Sequence, residues 1–311
     1  MKKMLCVAGV LILLIVIGLF GAGLYFYNVA IVPGQKSFIS ENTTIKRSDP
    51  LYSEKKWFQN VPKKIWFETS ATGNLRLDAD YIKAAKPTTK TAIIAHGYMG
   101  SKEQMGQYAA LFHGLGYNVL LPDSRGQGAS QGKVIGYGWL DRLDYIKWAK
   151  QVVQKNGQNS QIVLFGISMG ASGMTMASGE SSLPSQVKAF VVDSPFTTAD
   201  AEISHQATAL YHLPRFPLVP ITSAITKVRA GYSFKEADAL AQVKKDKTPI
   251  MFISGSADTF VPHAMTKTLY QATRAPKKML TVKGAKHVGS FSKAPERYRN
   301  SIQAFLARYV H

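Results

Sequence analysis

Ser168 lies in Gly166-Ile167-Ser168-Met169-Gly170, directly after the apolar run 162–165 and before Ala171, Gly173 and Met174. A buried strand, a tight turn and a helix start fit into those dozen residues. A serine on a strained strand-to-helix turn is pushed out of the sheet, and only glycine on either side lets the neighbouring backbone come so close. The helix that opens there aims unpaired N–H groups and the positive end of its dipole at the charge an ester carbonyl develops under attack. A serine hydroxyl is a weak nucleophile until a base takes its proton, and that base is usually a histidine held by a carboxylate. The chemistry to look for is therefore acyl transfer.

Seven histidines could serve as the base. His287, in Gly284-Ala285-Lys286-His287-Val288-Gly289, follows the last expected strand and precedes the final helix, so its loop returns to the sheet edge where Ser168 stands. His96 precedes Gly97 at the end of an earlier strand and is better placed to shape that loop. His205 and His212 fall in an insertion, and His113, His263 and His311 read as surface or helix positions. For the acid, Asp258 in the turn-rich Gly255-Ser256-Ala257-Asp258 stretch is favoured over Asp193, which ends the preceding strand. Asp123 is expected to brace its loop through Arg125, and Asp144 to brace a neighbouring loop. An oxyanion hole needs two N–H donors about 3 Å from the developing charge. Met169, after the nucleophile, supplies one, and the backbone of Tyr98 in His96-Gly97-Tyr98-Met99-Gly100 supplies the other; the Tyr98 ring lines an acyl pocket or packs in the core.

The elements that must position these residues follow from apolar patterning. Residues 64–69 and 75–82 read as two antiparallel strands around a turn at 71–74. Near-continuous apolar runs at 91–95, 117–121, 161–165, 188–192, 249–254 and 278–282 read as parallel strands buried on both faces. Helical periodicity occupies 103–115, 138–156, 171–179, 263–273 and 295–309. That alternation implies an α/β protein, a mostly parallel sheet with helices on both faces. Residues 194–248 break the rhythm, with the proline-rich run 213–220; a structureless loop so long is improbable. They are expected to form a helical cap over the C-terminal sheet edge, where open α/β sheets bind ligands.

Ser168, Asp258 and His287 occur in the chain order nucleophile, acid, histidine. Together with the His-Gly loop, the Asp-x-Arg-Gly-x-Gly segment at 123–128 and the elbow, that order resembles the α/β-hydrolase superfamily from about residue 60 to the end. The anchored, single-cap organisation is similar to membrane-bound cell-surface hydrolases of Gram-positive bacteria, near the cinnamoyl-esterase-like groups. The resemblance implies a central sheet of about eight strands, a serine esterase mechanism and extracellular exposure. It fixes no substrate, since the superfamily includes peptidases, thioesterases and lipases. The expected reaction is hydrolysis of a short-to-medium acyl or aromatic ester. A peptidase, amidase or thioesterase is the same-fold alternative, and a surface-anchored binding protein the alternative of another class.

Bulk properties bound the rest. The chain has 311 residues, 46% of them hydrophobic, enough for one large domain and an appendage. Its single cysteine, Cys6, lies in the N-terminal apolar segment, which excludes a disulfide, a thiolate zinc site and a cysteine nucleophile from the body. Gly126-Gln127-Gly128-Ala129-Ser130-Gln131-Gly132 is one residue off a dinucleotide fingerprint and follows Asp123-Ser124-Arg125, which discounts it. No phosphate-binding lysine loop or His-Glu-x-x-His helix is present, so no cofactor or metal is called for. The formal charge of +19 comes without any nucleic-acid-binding signature. A solvated basic surface is the plainer reading; weak attraction to anionic membrane or cell-wall polymers is the sharper one.

Residues 4–27 carry no charge after Lys2 and Lys3. As a helix they would span roughly 36 Å, enough for a ~30 Å hydrocarbon core and long for a signal peptide's apolar stretch of about 7–15 residues. Gly21-Ala22-Gly23 still offers small residues for cleavage. Residues 1–27 are therefore expected to be a retained transmembrane anchor, 28–60 a stalk and entry segment, and 61–311 the hydrolase domain. The two lysines orient the N-terminus inward and the catalytic domain outward.

Overall fold

The computed structural model describes residues 2–34 and 45–311; of the stretch read as a stalk, 35–44 lie outside the described residues. The chain opens with α1 (Lys2–Ala30) and α2 (Tyr52–Asn60), then β1 (Lys64–Thr69) and β2 (Arg76–Ile82). β3 (Lys90–Ala95), a 3-10 turn at Lys102–Met105, α3 (Gly106–Gly114), β4 (Asn118–Pro122), α4 (Asp141–Asn156), β5 (Gln161–Ile167) and α5 (Met169–Ser178) follow. After β6 (Val187–Asp193) come α6 (Ala199–Tyr211), α7 (Leu218–Ala230) and α8 (Ala239–Val243). The chain closes with β7 (Ile250–Gly255), α9 (His263–Ala272), β8 (Lys277–Val282), α10 (Ser290–Lys293) and α11 (Pro295–Leu306).

Among the described residues eight strands form one sheet in the order β1-β2-β4-β3-β5-β6-β7-β8. β2 runs antiparallel to both β1 and β4, and every pairing from β4 to β8 is parallel. Side chains alternate faces along a strand, which explains why the parallel strands are apolar without a break. Ile162 and Leu164 of β5 enter the core formed with Tyr145, Trp148 and Met174 of α4 and α5. Val163 and Phe165 enter the opposite core, with Tyr108 and Phe112 of α3 and Tyr298 and Ile302 of α11. Burying each such side chain contributes ~1.5–3 kcal/mol.

Two features depart from a reading of hydropathy alone. Residues 52–60, of mixed polarity, form α2 and join the body through Leu51 and Phe58, both buried in the second core. A Cβ at Gly106 of α3 would stand 2.8 Å from the Phe58 ring, so the glycine is what admits the ring. The second feature is α1. By length and composition it could cross a membrane, and its residues Met4 to Gly18 are exposed. Its C-terminal end is not: Tyr27 and the following Ile31 are buried against the body, and Gly23 meets Ile221 and Ile225 of α7.

Candidate active site

Parallel strands put their C-terminal ends at one edge, and Ser168, Asp258 and His287 follow β5, β7 and β8 there. Ser168 has φ 51° and ψ −120°, a left-handed backbone that non-glycine residues rarely adopt. The turn is as tight as the sequence motif implies. A Cβ at Gly166 would lie 2.5 Å from the Gly170 carbonyl carbon, and one at Gly170 only 2.4 Å from the His96 carbonyl oxygen. The loop after β3 closes on the serine from the other side, since a Cβ at Gly97 would rest 3.4 Å from that of Ser168.

His287 reaches the serine from three strands away because its loop folds back over the end of β7. Ala257 donates its N–H to the Ala285 carbonyl at 3.0 Å, and a Cβ at Gly255 would collide with that carbonyl oxygen at 2.2 Å. His287 Nε2 then stands 2.9 Å from Ser168 Oγ, and its Nδ1 stands 2.8 Å from Asp258 Oδ2. An ionised carboxylate only accepts, so Nδ1–H donates to Asp258, and the Nε2 lone pair is left to accept the serine hydroxyl. The other Asp258 oxygen accepts the N–H groups of Phe260 and Val261 at 3.1 and 3.0 Å. That fixes the carboxylate, and the Phe260 ring lies 4.9 Å from the imidazole.

Asp193 is close by but otherwise engaged. It is fully buried, accepts the Tyr298 hydroxyl at 3.0 Å and that of Ser194 at 3.1 Å, and burial pushes its carboxyl up to about 6. His96 is also fully buried; its Nε2 accepts the Ser124 N–H at 3.0 Å, and burial pulls its pKa down. The geometry assigns Asp123 a different partner from the Arg125 expected. Asp123 and Asp78 together hold the buried Lys102 ammonium at 2.9 and 2.5 Å, while Arg125 makes a bidentate pair with Asp144 at 2.7–2.9 Å. A Cβ at Gly128 would lie 2.2 Å from the Asp123 carboxyl carbon. The segment thus curls around Asp123 and sends Arg125 the other way. Asp144 also accepts the Ala71 N–H at 2.7 Å, bracing the β1–β2 turn.

Met169 occupies the first position of α5, where a helix leaves its N–H groups without intrahelical partners. Tyr98 follows Gly97 in the loop against Ser168, and its hydroxyl donates to the carbonyls of Val29 and Ala30 at 3.2 and 3.0 Å. A residue of the expected site thereby holds the end of α1. Ser168 sits in the wall of a mostly apolar cavity with about 80 Å³ of space open to water-sized centres, a compact pocket of the kind that binds small molecules. Tyr98, Tyr137 and Phe196 line it from the body, Leu210, Leu218 and Val219 from α6 and α7, and Phe26, Val29 and Ala30 from α1. One acidic group faces this space. Glu202 of α6 lines it while only 4% exposed; Gln206 donates to its Oε1 at 2.8 Å and its Oε2 has no hydrogen-bond partner. Burial pushes its carboxyl up to about 8. Neither Glu202, within the expected cap, nor the α1 wall, in the segment read as an anchor, was foreseen from the sequence.

This sheet order and elbow are those of the α/β-hydrolase fold, which the solved structures similar to this chain share. The family model described as "Serine aminopeptidase, S33" matches residues 86–225, a region that holds Ser168 but neither Asp258 nor His287. The chain is 29% identical over 307 residues to the uncharacterized protein YqkD of Bacillus subtilis (strain 168), covering 98% of this chain and 97% of that one. Its fold resembles the Pyrococcus furiosus esterase Pf2001 (TM-score 0.65, 21% identity, 88% of this chain and 100% of that one). It also resembles the Pyrococcus horikoshii acylaminoacyl peptidase (TM-score 0.58, 17% identity), covering 80% of this chain and 42% of the other.

Proposed function

We propose that this hydrolase cleaves carboxylic esters of short-to-medium acyl or aromatic acids through a Ser168–His287–Asp258 triad. The observation that carries the reading is the imidazole held between Asp258 and a strained serine, 2.8 and 2.9 Å from each, beside an apolar cavity. Ser168 Oγ attacks the ester carbonyl carbon as its proton passes to His287 Nε2, and Asp258 stabilises the imidazolium. The N–H groups of Met169 and Tyr98 hold the oxyanion, each worth roughly 3 kcal/mol in the transition state. Collapse breaks the acyl–oxygen bond, and the departing alcohol takes the proton back from His287. Water then repeats the sequence on the acyl-enzyme, releasing the acid and restoring the serine. No cofactor enters. Residues 194–248 act as the cap, and α1 as a retained single-pass anchor, with the N-terminus inside and the catalytic domain outside.

Fluorophosphonate labelling and turnover of p-nitrophenyl esters test this. Ser168→Ala should abolish labelling and lower kcat by a factor on the order of 10⁶. Across an acyl series, kcat/KM should rise about fourfold per methylene, from ~0.8 kcal/mol of transfer free energy each, until the cavity is full. Ester turnover and labelling that survive in Ser168→Ala would end the proposal.

Glu202 favours a second reading. Its Oε2, left without a partner beside the cavity, would accept an N–H bond from a substrate amine, as an aminopeptidase would need. Hydrolysis of an aminoacyl-anilide in preference to the esters, lost in Glu202→Gln, would select it.

A further inference from the structure

The C-terminal end of α1 is part of the wall of the cavity that Ser168 faces. Counted from Lys3, about 20 residues cross a hydrocarbon core, which brings the helix to the surface near Gly23. The remaining turns, through Ala30, stand clear of the bilayer in that geometry, and those are the turns that pack on the body. Gly23 lies against Ile221 and Ile225, and one turn later the Tyr27 ring lies 4.9 Å from the Arg229 guanidinium. α1 and α7 therefore run side by side in the same direction, and the N-terminal end of α7 points toward the membrane. Phe216, two residues before that end, is 74% exposed. Two of the cavity's partly exposed lining residues lie on this same side: Leu210 is 40% exposed, and the Tyr211 ring meets that of Phe26 edge-on at 5.2 Å. A soluble enzyme has no need to build a substrate pocket from its anchor.

We infer that the substrate is an acyl ester resident in the membrane, whose chain slides from the outer leaflet between Phe26 and Leu210 into the cavity beside Ser168. This rests on the hydrolase reading and names its substrate class. Phe216 dips into the headgroup layer and sets the height of the cavity mouth. α1 is then a wall of the binding site as well as a tether. Hydrolysis adds one water across the acyl–oxygen bond, the carboxylic acid and the freed alcohol being the two products.

The test reconstitutes the full chain in phosphatidylglycerol vesicles and compares vesicle-embedded methylumbelliferyl oleate with water-soluble p-nitrophenyl acetate. The oleate ester should be hydrolysed. Phe216→Glu, which places a charge at the headgroup layer, should slow it by about tenfold while acetate turnover and fluorophosphonate labelling stay at wild-type level. Ala30→Trp, which fills the cavity from the α1 side, should lower the ratio of oleate to acetate turnover. Turnover of acetate without turnover of the embedded ester would overturn the inference and leave the hydrolase reading standing. So would an oleate rate indifferent to both substitutions. Failure of both substrates together with loss of labelling would bring down the hydrolase reading, and this one with it.

Discussion

Glu202 offers the most exacting test of how the cavity works. Its carboxyl is pushed up to about 8 chiefly by burial, against the hydrogen bond from Gln206. The interval from the ordinary 4.5 to about 8 corresponds to ~5 kcal/mol. The folded-state value is raised, so the folded chain holds a proton that the unfolded chain has released throughout the window from pH 4.5 to 8. Stability from this group is fully present below pH 4.5 and is lost as the pH climbs through 8. Glu202→Gln keeps the shape and the acceptor for Gln206 but cannot ionise. In thermal melts of the detergent-solubilised full chain, the variant and the wild type should coincide near pH 4.5. By pH 8 the variant should melt higher by on the order of 10 °C, taking 2–4 °C per kcal/mol for a chain of this size. Activity should follow the same proton. Above pH 8 a bare carboxylate in an apolar cavity repels an acyl chain, so wild-type kcat/KM for a butyrate ester falls there while that of Glu202→Gln holds. Melting differences that do not change between pH 5 and 8 would refute the argument, because they would mean that Glu202 is solvated and ionised in the folded chain.

The same structure makes three further predictions. Gly170→Ala places a methyl 2.4 Å from the His96 carbonyl oxygen and 2.6 Å from that of Ala95, a backbone collision that should cost at least ~1–3 kcal/mol; folded yield and fluorophosphonate labelling should fall together. Asp246, whose carboxyl burial pushes up to about 7 and whose Oδ2 has no partner, is another raised acid. Asp246→Asn should therefore stabilise the chain at pH 8 and leave it unchanged at pH 4, as read by denaturant melts. Asp258→Asn should lower kcat by about 10⁴-fold through the wrong imidazole tautomer, whereas Asp193→Asn, whose partners are Tyr298 and Ser194, should lower it far less. Equal losses from the two would mean that His287 draws on both acids.

Much of the architecture could be read from the chain because the physics that sets it is local. Parallel strands buried on both faces leave unbroken apolar runs, so β3 to β8 fall within a residue or two of the expected bounds. The elbow is as legible from its motif, although only Gly166 is required by contacts within four residues; Gly170 makes room for the carbonyls of Ala95 and His96. Where a partner lies far along the chain, the reading falters. Asp123 and Arg125 are two residues apart and invite pairing, yet the curl of the loop turns them to opposite sides, and Lys102 takes the aspartate. α2 reads as part of a stalk because its hold on the body depends on Phe58 fitting over Gly106, which no window of sequence contains. Choosing between Asp258 and Asp193 likewise needs Tyr298, over a hundred residues beyond Asp193, to occupy the rival.

The N-terminal helix shows a deeper reason for such gaps. Hydropathy measures dislike of water, and a lipid-facing residue and a protein-facing residue dislike it equally. One uniform apolar run therefore conceals two environments: Met4 to Gly18 exposed on all sides, and a later face pressed on α7. Small residues at 21–23 suggest a processing site, but Gly23 is small because Ile221 and Ile225 need its space. The discriminating signal is periodicity. Gly23, Tyr27 and Ile31 recur at every fourth residue, the spacing of a single helix face, and all three are buried. A segment that only crossed lipid would have no reason to keep one face, and a segment destined for removal would have no reason to complete a cavity wall with Phe26, Val29 and Ala30. The stripe therefore argues that this end of the helix is selected for its fit to the enzyme, and that its loss would open the cavity.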